Sequence, residues 1–413
     1  MRIGIIGAGA AGLMAAAAIA ENSGQKTASS KTLGHDNRPE VFLIDKNPIL
    51  GRKVLISGGG RCNITTSLSD INQILKNYPR GSRFLKFAMH TLSPQKLCEW
   101  FVAHGLAIKK EKFDKIFPQS NNGEDVIKVF EQIFAKYGVE PILKAPISDI
   151  QKKNGTFTLQ IKDGKSIEVD KLIITTGGQA FKQTGSVGDG YSFAEKLGHK
   201  ITELFPSLHG FETKESWPTK IPGVSIVNAR LKFHGTSKTY EFFGPFLFTH
   251  RGISGPAIFS ISSLAAQEKV DQKNPKIISI DFLPQKNYEN LIKEITIEIK
   301  NHPTKKLDNI LKKYLPISLL SALNIVNKKP SQIAEILKNT KLTVTDKTAG
   351  EEFVTAGGVS TNEIDPKTME SKICPNLYFA GEILDIDGFT GGFNLQSAWC
   401  TGYLAGKNAL NII

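Results

Sequence analysis

The stretch MRIGIIGAGAAGLMAAAAIA, Met1 to Ala20, decides the fold. Arg2 to Ile6 is a short apolar, β-branched run and reads as a buried strand. Gly7, Gly9 and Gly12 follow in G-x-G-x-x-G spacing, and a run of good helix formers comes next. In such a unit Gly7 allows the sharp turn, Gly9 lets the backbone approach a pyrophosphate, and Gly12 lets the helix pack close to the strand. The helix start offers free N–H groups and a partial positive charge to phosphates. A lone G-x-G-x-x-G arises by accident in Gly/Ala-rich helices. The strand before it and the helix after it make this one a dinucleotide-type turn.

Working outward, Glu40 to Asp45 (EVFLID) is the second strand. It ends in Asp45, where a ribose-binding carboxylate belongs. Asp45 lies 33 residues beyond Gly12, against the usual spacing of roughly 20. Asn22 to Pro39, polar and aperiodic, accounts for most of the excess as a surface insertion. A merely solvent-exposed strand-end acid is the plainer alternative for Asp45. Gly51 to Thr66 (GRKVLISGGGRCNITT) follows. Three consecutive glycines, Gly58 to Gly60, are neither helix nor central strand. With Arg52, Lys53 and Arg61 around them they form a positively charged backbone turn suited to press on a flat or charged ligand.

Residues 67–105 are helical in pattern, with Ser93 and Pro94 as N-cap and first helical residue of the last helix. Gly123 to Gly138 is an amphipathic helix, and Val139 to Leu143 reads as the next strand. Three short alternating segments near 146–151, 156–162 and 166–169 are separated by Asn154-Gly155 and Asp163-Gly164, strong hairpin signals. Lys171 to Thr176 (KLIITT) is a strand ending at Gly177-Gly178.

From about His199 the character changes. Segments 224–234 and 238–248 are β-rich, and residues 287–339 are mostly helical, lysine-rich and punctuated by prolines. The domain reading is a discontinuous nucleotide-binding domain over 1–198 and 346–413, with a β-rich insert at 199–285 and a helical insert at 286–345. Leu377 to Ala380 is a final buried strand and Phe393 to Leu410 a final helix.

The 413 residues, 40% of them apolar, suit a multidomain soluble α/β protein. No apolar run approaches the roughly 20 residues of a membrane helix. The first strand begins at residue 2 and leaves no room for a signal peptide before it. Cys62, Cys98, Cys374 and Cys400 form no CxxC, which argues against a disulfide framework or a zinc site. These features give a cytoplasmic expectation with no metal and no membrane. Net charge is +13. Lys76 to Lys115 holds nine Lys/Arg against three acids, interleaved with Tyr78, Phe84, Phe87, Trp100 and Phe101. Gln285 to Pro330 holds nine Lys against four acids. Basic segments with aromatics suggest a polyanionic partner, although the aromatics read equally well as helix core.

The chemistry concentrates where the last strand runs into Gly381-Glu382, then Asp385 and Asp387, then Gly391-Gly392-Phe393-Asn394 and the final helix. This is a second helix start reached through glycines. Two such ends suit one long dianionic cofactor, with the pyrophosphate at the first and a flavin ring at the second, where a helix dipole stabilises negative charge. Only one G-x-G-x-x-G exists in the chain, and Gly177-Gly178 lacks the spacing for another. One bound FAD is therefore expected, with NAD(P)H docking transiently as reductant.

These stretches resemble the HI0933-like flavoproteins, also called the BaiN/RdsA family of NAD(P)/FAD-dependent oxidoreductases. The resemblance covers nearly the whole chain. It is carried by residues 7–12, 51–66, 175–201 (TTGGQAFKQTGSVGDGYSFAEKLGHKI), 248–258 (FTHRGISGPAI) and 354–406. It implies an α/β fold: a Rossmann-like, two-dinucleotide-binding-type FAD domain interrupted by a β-barrel and helical insert. The Asn22 to Pro39 insertion departs from the family pattern. By resemblance, the FAD contacts fall on the first glycine turn (Gly7, Gly9, Ala10, Ala11, Gly12), on Asp45 and Lys46, and on the loop Arg52, Lys53, Ser57, Gly58, Gly59, Gly60, Arg61 and Asn63. They extend to Ile147, to Thr176, Gly177 and Gly178, and to Gly381, Glu382, Asp385, Gly391, Gly392, Phe393, Asn394 and Leu395.

The family is associated with reducing conjugated double bonds in small molecules, with oxidising aminoacetone, and with reducing a ribosomal RNA uridine to dihydrouridine. The charge of this chain favours the last. A small-molecule reductase or oxidase is the alternative, and a non-catalytic flavin-bearing RNA-binding or redox-sensing protein is a third reading. A reductase needs a proton donor beside the hydride acceptor. Cys62 is the candidate, since a thiol donates near neutral pH; packing under the flavin is the alternative. His250 and Arg251 are candidates for the substrate mouth.

Overall fold

The structure is a computed structural model that describes residues 1–24, 39–348, 350 and 352–410. Most of the polar insertion expected at Asn22 to Pro39 lies outside the described residues. The chain divides into two compact units, Met1–Phe205 with Val354–Ile413, and Pro206–Phe353.

The first unit is built on a parallel sheet. Strand β1 (Arg2–Ile6) lies between β2 (Glu40–Ile44) and Lys171–Ile174, and Leu377–Phe379 completes the order on the far side. Ile3 stands opposite Val41 on one side and Lys171 on the other. Ile3, Ile5, Leu172, Ile173 and Leu377 are fully buried, which is why these strands read as unbroken apolar runs. Helix α1 (Ala10–Gly24) is apolar on every side, and Leu13 to Ile19 are fully buried. Such a helix needs cover all round. The C-terminal helix Phe393–Ala409 supplies much of it. A Cβ at Gly402 or Gly406 would come within 2.4 Å of the carbonyl oxygens of Ala11 or Ala15. Glycine at those two positions lets the helix backbones touch.

Glu124–Tyr137 forms the expected amphipathic helix, ended by Gly138 at φ 74°. The meander forms as Ile147–Lys153, Thr156–Ile161 and Ser166–Val169, with its first turn at Asn154 (φ 50°) and Gly155. Val139 to Leu143 contributes one parallel bridge, Ile142 to Ile44, rather than a strand. The helical stretch 67–105 resolves into Ile71–Leu75, Lys86–Thr91 and Pro94–Ala103, the last capped by Ser93. A small antiparallel sheet of Thr65–Thr66, Lys115–Pro118 and Ile108–Glu111 went unread in the sequence. Its strands are short and rich in lysine, which masks the alternation.

The second unit is a closed six-stranded barrel. Its order is Phe211–Thr213, Gly252–Ser254, Thr239–Phe248, Ser225–His234, Lys276–Asp281 and Thr340–Lys347. Pairing of Phe211 with Lys347 closes it. Phe233, Phe246 and Phe248 fill its interior. Tyr288–Asn301, Leu307–Leu311, Ile317–Ala322 and Pro330–Asn339 are helices that fall, in chain order, between the fifth and sixth of these strands.

Candidate glycine-lined nucleotide site

The first glycine turn is held from below and open above. Gly7 has φ 105°, and a Cβ there would lie 2.6 Å from the Thr175 oxygen. At Gly12 a Cβ would lie 1.8 Å from the Gly7 oxygen. At Gly9 it would meet nothing within 4 Å. Intrahelical bonding from this turn begins when the Leu13 N–H donates to the Gly9 oxygen at 2.9 Å. The N–H groups of Ala10, Ala11 and Gly12 precede that bond and form the orphan first turn. Asp45 stands against the turn: one carboxylate oxygen accepts the Ala8 N–H at 2.6 Å, the other the Asn47 N–H at 2.7 Å. Lys46 pairs with Asp189 at 2.5 Å, and Arg52 donates to Asn47 at 3.2 Å.

The triple-glycine loop is a second open surface. Gly58, Gly59 and Gly60 all have positive φ, and a Cβ at Gly59 or Gly60 would meet no neighbour within 4 Å. Arg61 ties the loop to the small sheet. It pairs with Glu111 at 2.5 Å, donates to Asn121 at 3.0 Å and lies 3.9 Å over the Phe117 ring. Its charge is therefore already engaged by protein groups. Cys62 is fully buried at φ 57°. Burial pushes its thiol up to about 12, against a smaller lowering by Ser57. Such a thiol keeps its proton at neutral pH and has no exposed surface.

The C-terminal helix start is reached through Gly391 (φ 125°) and Gly392 (φ 91°), and a Cβ on Gly392 would strike Thr65 backbone at 2.5 Å. Side chains from distant segments brace it. Asn394 accepts the Gly388 N–H at 2.8 Å and donates back to the Gly388 oxygen at 2.7 Å. Tyr78 donates to the Phe393 oxygen at 2.7 Å. Arg80 pairs with the fully buried Asp387. Asn63, in the amide orientation that satisfies both its ends, accepts the Gly392 N–H at 3.0 Å and so joins the triple-glycine loop to this turn. Lys53 and Glu382, 329 residues apart, pair at 2.6 Å, and Glu382 also accepts the Thr355 N–H at 3.0 Å.

Among the described residues five buried side-chain atoms have no partner, and three of them, Thr176 Oγ1, Tyr191 Oη and Asp385 Oδ1, belong to the first unit. Burial raises the Asp385 carboxyl, opposed by Thr202 and Arg80. Unsatisfied atoms of this kind cost free energy and call for an explanation, a ligand among them. Gly177 has φ 74°, and Gly178 abuts Thr355. Ile147 is buried within the meander opposite Ile161, and Leu395 lies in the first turn of the C-terminal helix. His250 and Arg251 belong to the barrel unit, where Arg251 pairs with Glu212. Asp387 and Tyr78 were named in the sequence reading, but their bracing roles and that of Arg80 escaped it, because nothing local marks a partner some 300 residues away.

The family model of the HI0933-like protein Rossmann domain matches residues 1–408. A 3-dehydro-bile acid delta(4,6)-reductase of Clostridium scindens is 30% identical over 99% of this chain and 98% of its own. A ribosomal RNA dihydrouridine synthase of Escherichia coli is 29% identical over 98% of this chain and 97% of its own. Among solved structures, a 3-ketosteroid-delta4-(5alpha)-dehydrogenase of Rhodococcus jostii superposes with a TM-score of 0.53 at 12% identity, covering 99% of this chain and 96% of that one. That likeness concerns the fold.

Proposed function

Because the chain belongs to the HI0933-like family, we propose that it is an FAD-dependent oxidoreductase that adds a hydride and a proton across an electron-poor C=C bond, with a ribosomal RNA uridine as the favoured substrate. The residues fit the cofactor. Gly9, Gly59 and Gly60 leave room that a Cβ would take, and Thr176 Oγ1 and Asp385 Oδ1 lack protein partners. When bound, FAD supplies hydride-transfer chemistry at its flavin ring.

The chain's own residues do the rest. N–H groups of Ala10, Ala11 and Gly12 would hold the diphosphate, and Asp45, at the end of β2, would take the ribose hydroxyls. Lys53 and Glu382, locked together, set the distance between the short helix Arg52–Ile56 and the C-terminal stretch. The N-terminus of the Phe393–Ala409 helix would favour negative charge on a flavin ring held there. NAD(P)H is the proposed reductant. We assign Cys62 to supporting the glycine loop rather than donating the proton.

The observation that carries the cofactor reading is the pair of glycine-led helix starts, at Gly9 and at Gly392, with the open triple-glycine loop tied to the second through Asn63. What supports RNA over a small metabolite is the net charge of +13 and its concentration in two segments. A small-molecule enone reductase is the second reading, favoured by the Clostridium scindens relative's own name. Mass spectrometry of ribosomal RNA nucleosides from cells with and without the gene tests the choice. Loss of one dihydrouridine on deletion is expected; an unchanged profile transfers the case to the small molecule.

A further inference from the structure

The two basic segments differ in how their charges are arranged. In Lys76 to Lys115, Arg80 is engaged by Asp387, Lys109 lies 3.4 Å from Glu111, Lys110 pairs with Asp114 at 2.9 Å, and Lys96 donates to the His90 oxygen at 3.0 Å. Lys76, Arg83, Lys86 and Lys112 are exposed and form no salt bridge among the described residues, but they are spread over separate short elements. The aromatics there are core rather than stacking platforms. Tyr78 and Phe101 are buried and Trp100 packs on Phe130; Phe87 is exposed at 43%.

The Tyr288–Asn301 helix is arranged the other way. Beyond its first turn, its acids are taken up by cations of neighbouring elements. Glu294 is held by Lys286 at 2.9 Å and by the Tyr314 hydroxyl at 2.8 Å, and Glu298 by Lys313 at 2.5 Å. Its cations turn outward. Lys293, Ile297 and Lys300 recur at i, i+4 and i+7, which is one stripe of the helix, and all three are exposed, Ile297 at 57%. Exposed Lys305 and Lys306 follow in the loop after the helix. Among the described residues none of these four lysines forms a salt bridge with an acid, while Glu294 and Glu298, the helix acids nearest them in sequence, are taken up by other cations. The result is a run of exposed lysines without salt-bridge partners, with Glu289 one turn before Lys293 and Glu298 feeling the charge of Lys305 as the neighbouring acids; the excess of cations is the electrostatic footprint expected for a phosphate backbone.

We propose that the ridge formed by Lys293, Lys300, Lys305 and Lys306 is a docking surface for the phosphate backbone of structured RNA. It rests on the reading of ribosomal RNA as substrate and names the surface that would anchor it. Phosphate contacts position without reading sequence, so the ridge contributes affinity and salt dependence rather than base choice.

The test uses the full-length flavin-loaded protein with deproteinised large-subunit ribosomal RNA, titrated with salt. The variant carries Lys293→Gln, Lys300→Gln, Lys305→Gln and Lys306→Gln. A control with the same change in net charge carries Lys136→Gln, Lys153→Gln, Lys162→Gln and Lys165→Gln. The ridge variant should bind RNA at least about tenfold more weakly, with a salt slope shallower by about one for each phosphate it no longer neutralises. Its thermal midpoint and flavin content should match the wild type, and any dihydrouridine formation should show a raised KM with kcat retained. The control should bind nearly as the wild type. Wild-type-like binding by the ridge variant, or equal loss in the control, overturns the ridge while leaving the substrate reading intact. Absence of salt-sensitive RNA binding by the wild type removes both. Loss confined to phosphatidylglycerol vesicles, with RNA binding kept, overturns the proposal in favour of a membrane surface.

Discussion

The two helix starts of the first unit do similar work by different means. Gly7 to Gly12 is a largely local turn. Its geometry comes from the strand before it and the helix after it, with backbone-directed bonds from outside: Asp45 accepts the Ala8 N–H, Thr175 Oγ1 donates to the Gly7 oxygen at 2.7 Å, and the Gly51 N–H donates to the Ala8 oxygen at 2.8 Å. Gly391 to Asn394 is assembled from elsewhere, with Tyr78, Arg80, Asn63 and Thr65 all pressing on it. The difference teaches where each start can fail. A local turn is lost through its own glycines, whereas a braced turn is lost through residues far away in sequence.

The largest expected effect is at the closed side of the first turn. Gly12→Val drives a side chain into the Gly7 carbonyl and Thr175 Oγ1, and should cost several kcal/mol, on the order of 4 or more. Little folded, yellow protein should be recovered; a normal midpoint with full flavin would show that the turn relaxes freely. Next is Asp387→Ala, which strips a buried partner from Arg80 and should cost about 3 to 5 kcal/mol by denaturant titration. A loss below about 1 kcal/mol would mean the distant brace does not hold the second start.

Gly9→Ala sharpens the contrast most cleanly. Its Cβ meets no protein atom, so the thermal midpoint should barely move while FAD affinity falls by tenfold or more. Unchanged affinity would remove the cofactor from that turn. Asp385→Asn then separates the starts by pH. Its carboxyl is raised by burial, so the folded protein holds that proton more firmly than the unfolded chain does. The associated stability is present in acid and is lost as pH rises through the folded value. Without bound FAD, the Asn variant should gain thermal midpoint at neutral pH and lose that advantage in acid. A gain that persists in acid would point to something other than the proton. Smallest is Cys62→Ser, expected to lower turnover less than tenfold; a thousandfold drop with the fold intact would restore the thiol as proton donor.

The legible part of the molecule was the part governed by short-range rules. Gly7, Gly9 and Gly12 stand beside a β-branched run and an alanine-rich helix, and each constrains backbone within a few residues. Asn154-Gly155 and Gly138 announced their turns for the same reason. The small sheet around Lys115–Pro118 did not, because its strands are only two to four residues long and lysines break their alternation. Arg61 itself read as a ligand cation by composition, and the structure engages it with Glu111 and Asn121. The aromatics near Trp100 were ambiguous between core and stacking surface, and packing against Phe130 and Trp399 decided for core.

The sequence by itself determined the Rossmann-type core, the two glycine-led helix starts and the excess of positive charge, since each follows from local backbone sterics or from counting. Only the tertiary structure decided which lysines are free, that Cys62 is sealed away, and that Asn63 and Arg80 shape a turn beginning some 300 residues later. Pairing and burial depend on which surfaces meet, and no spacing along the chain encodes that.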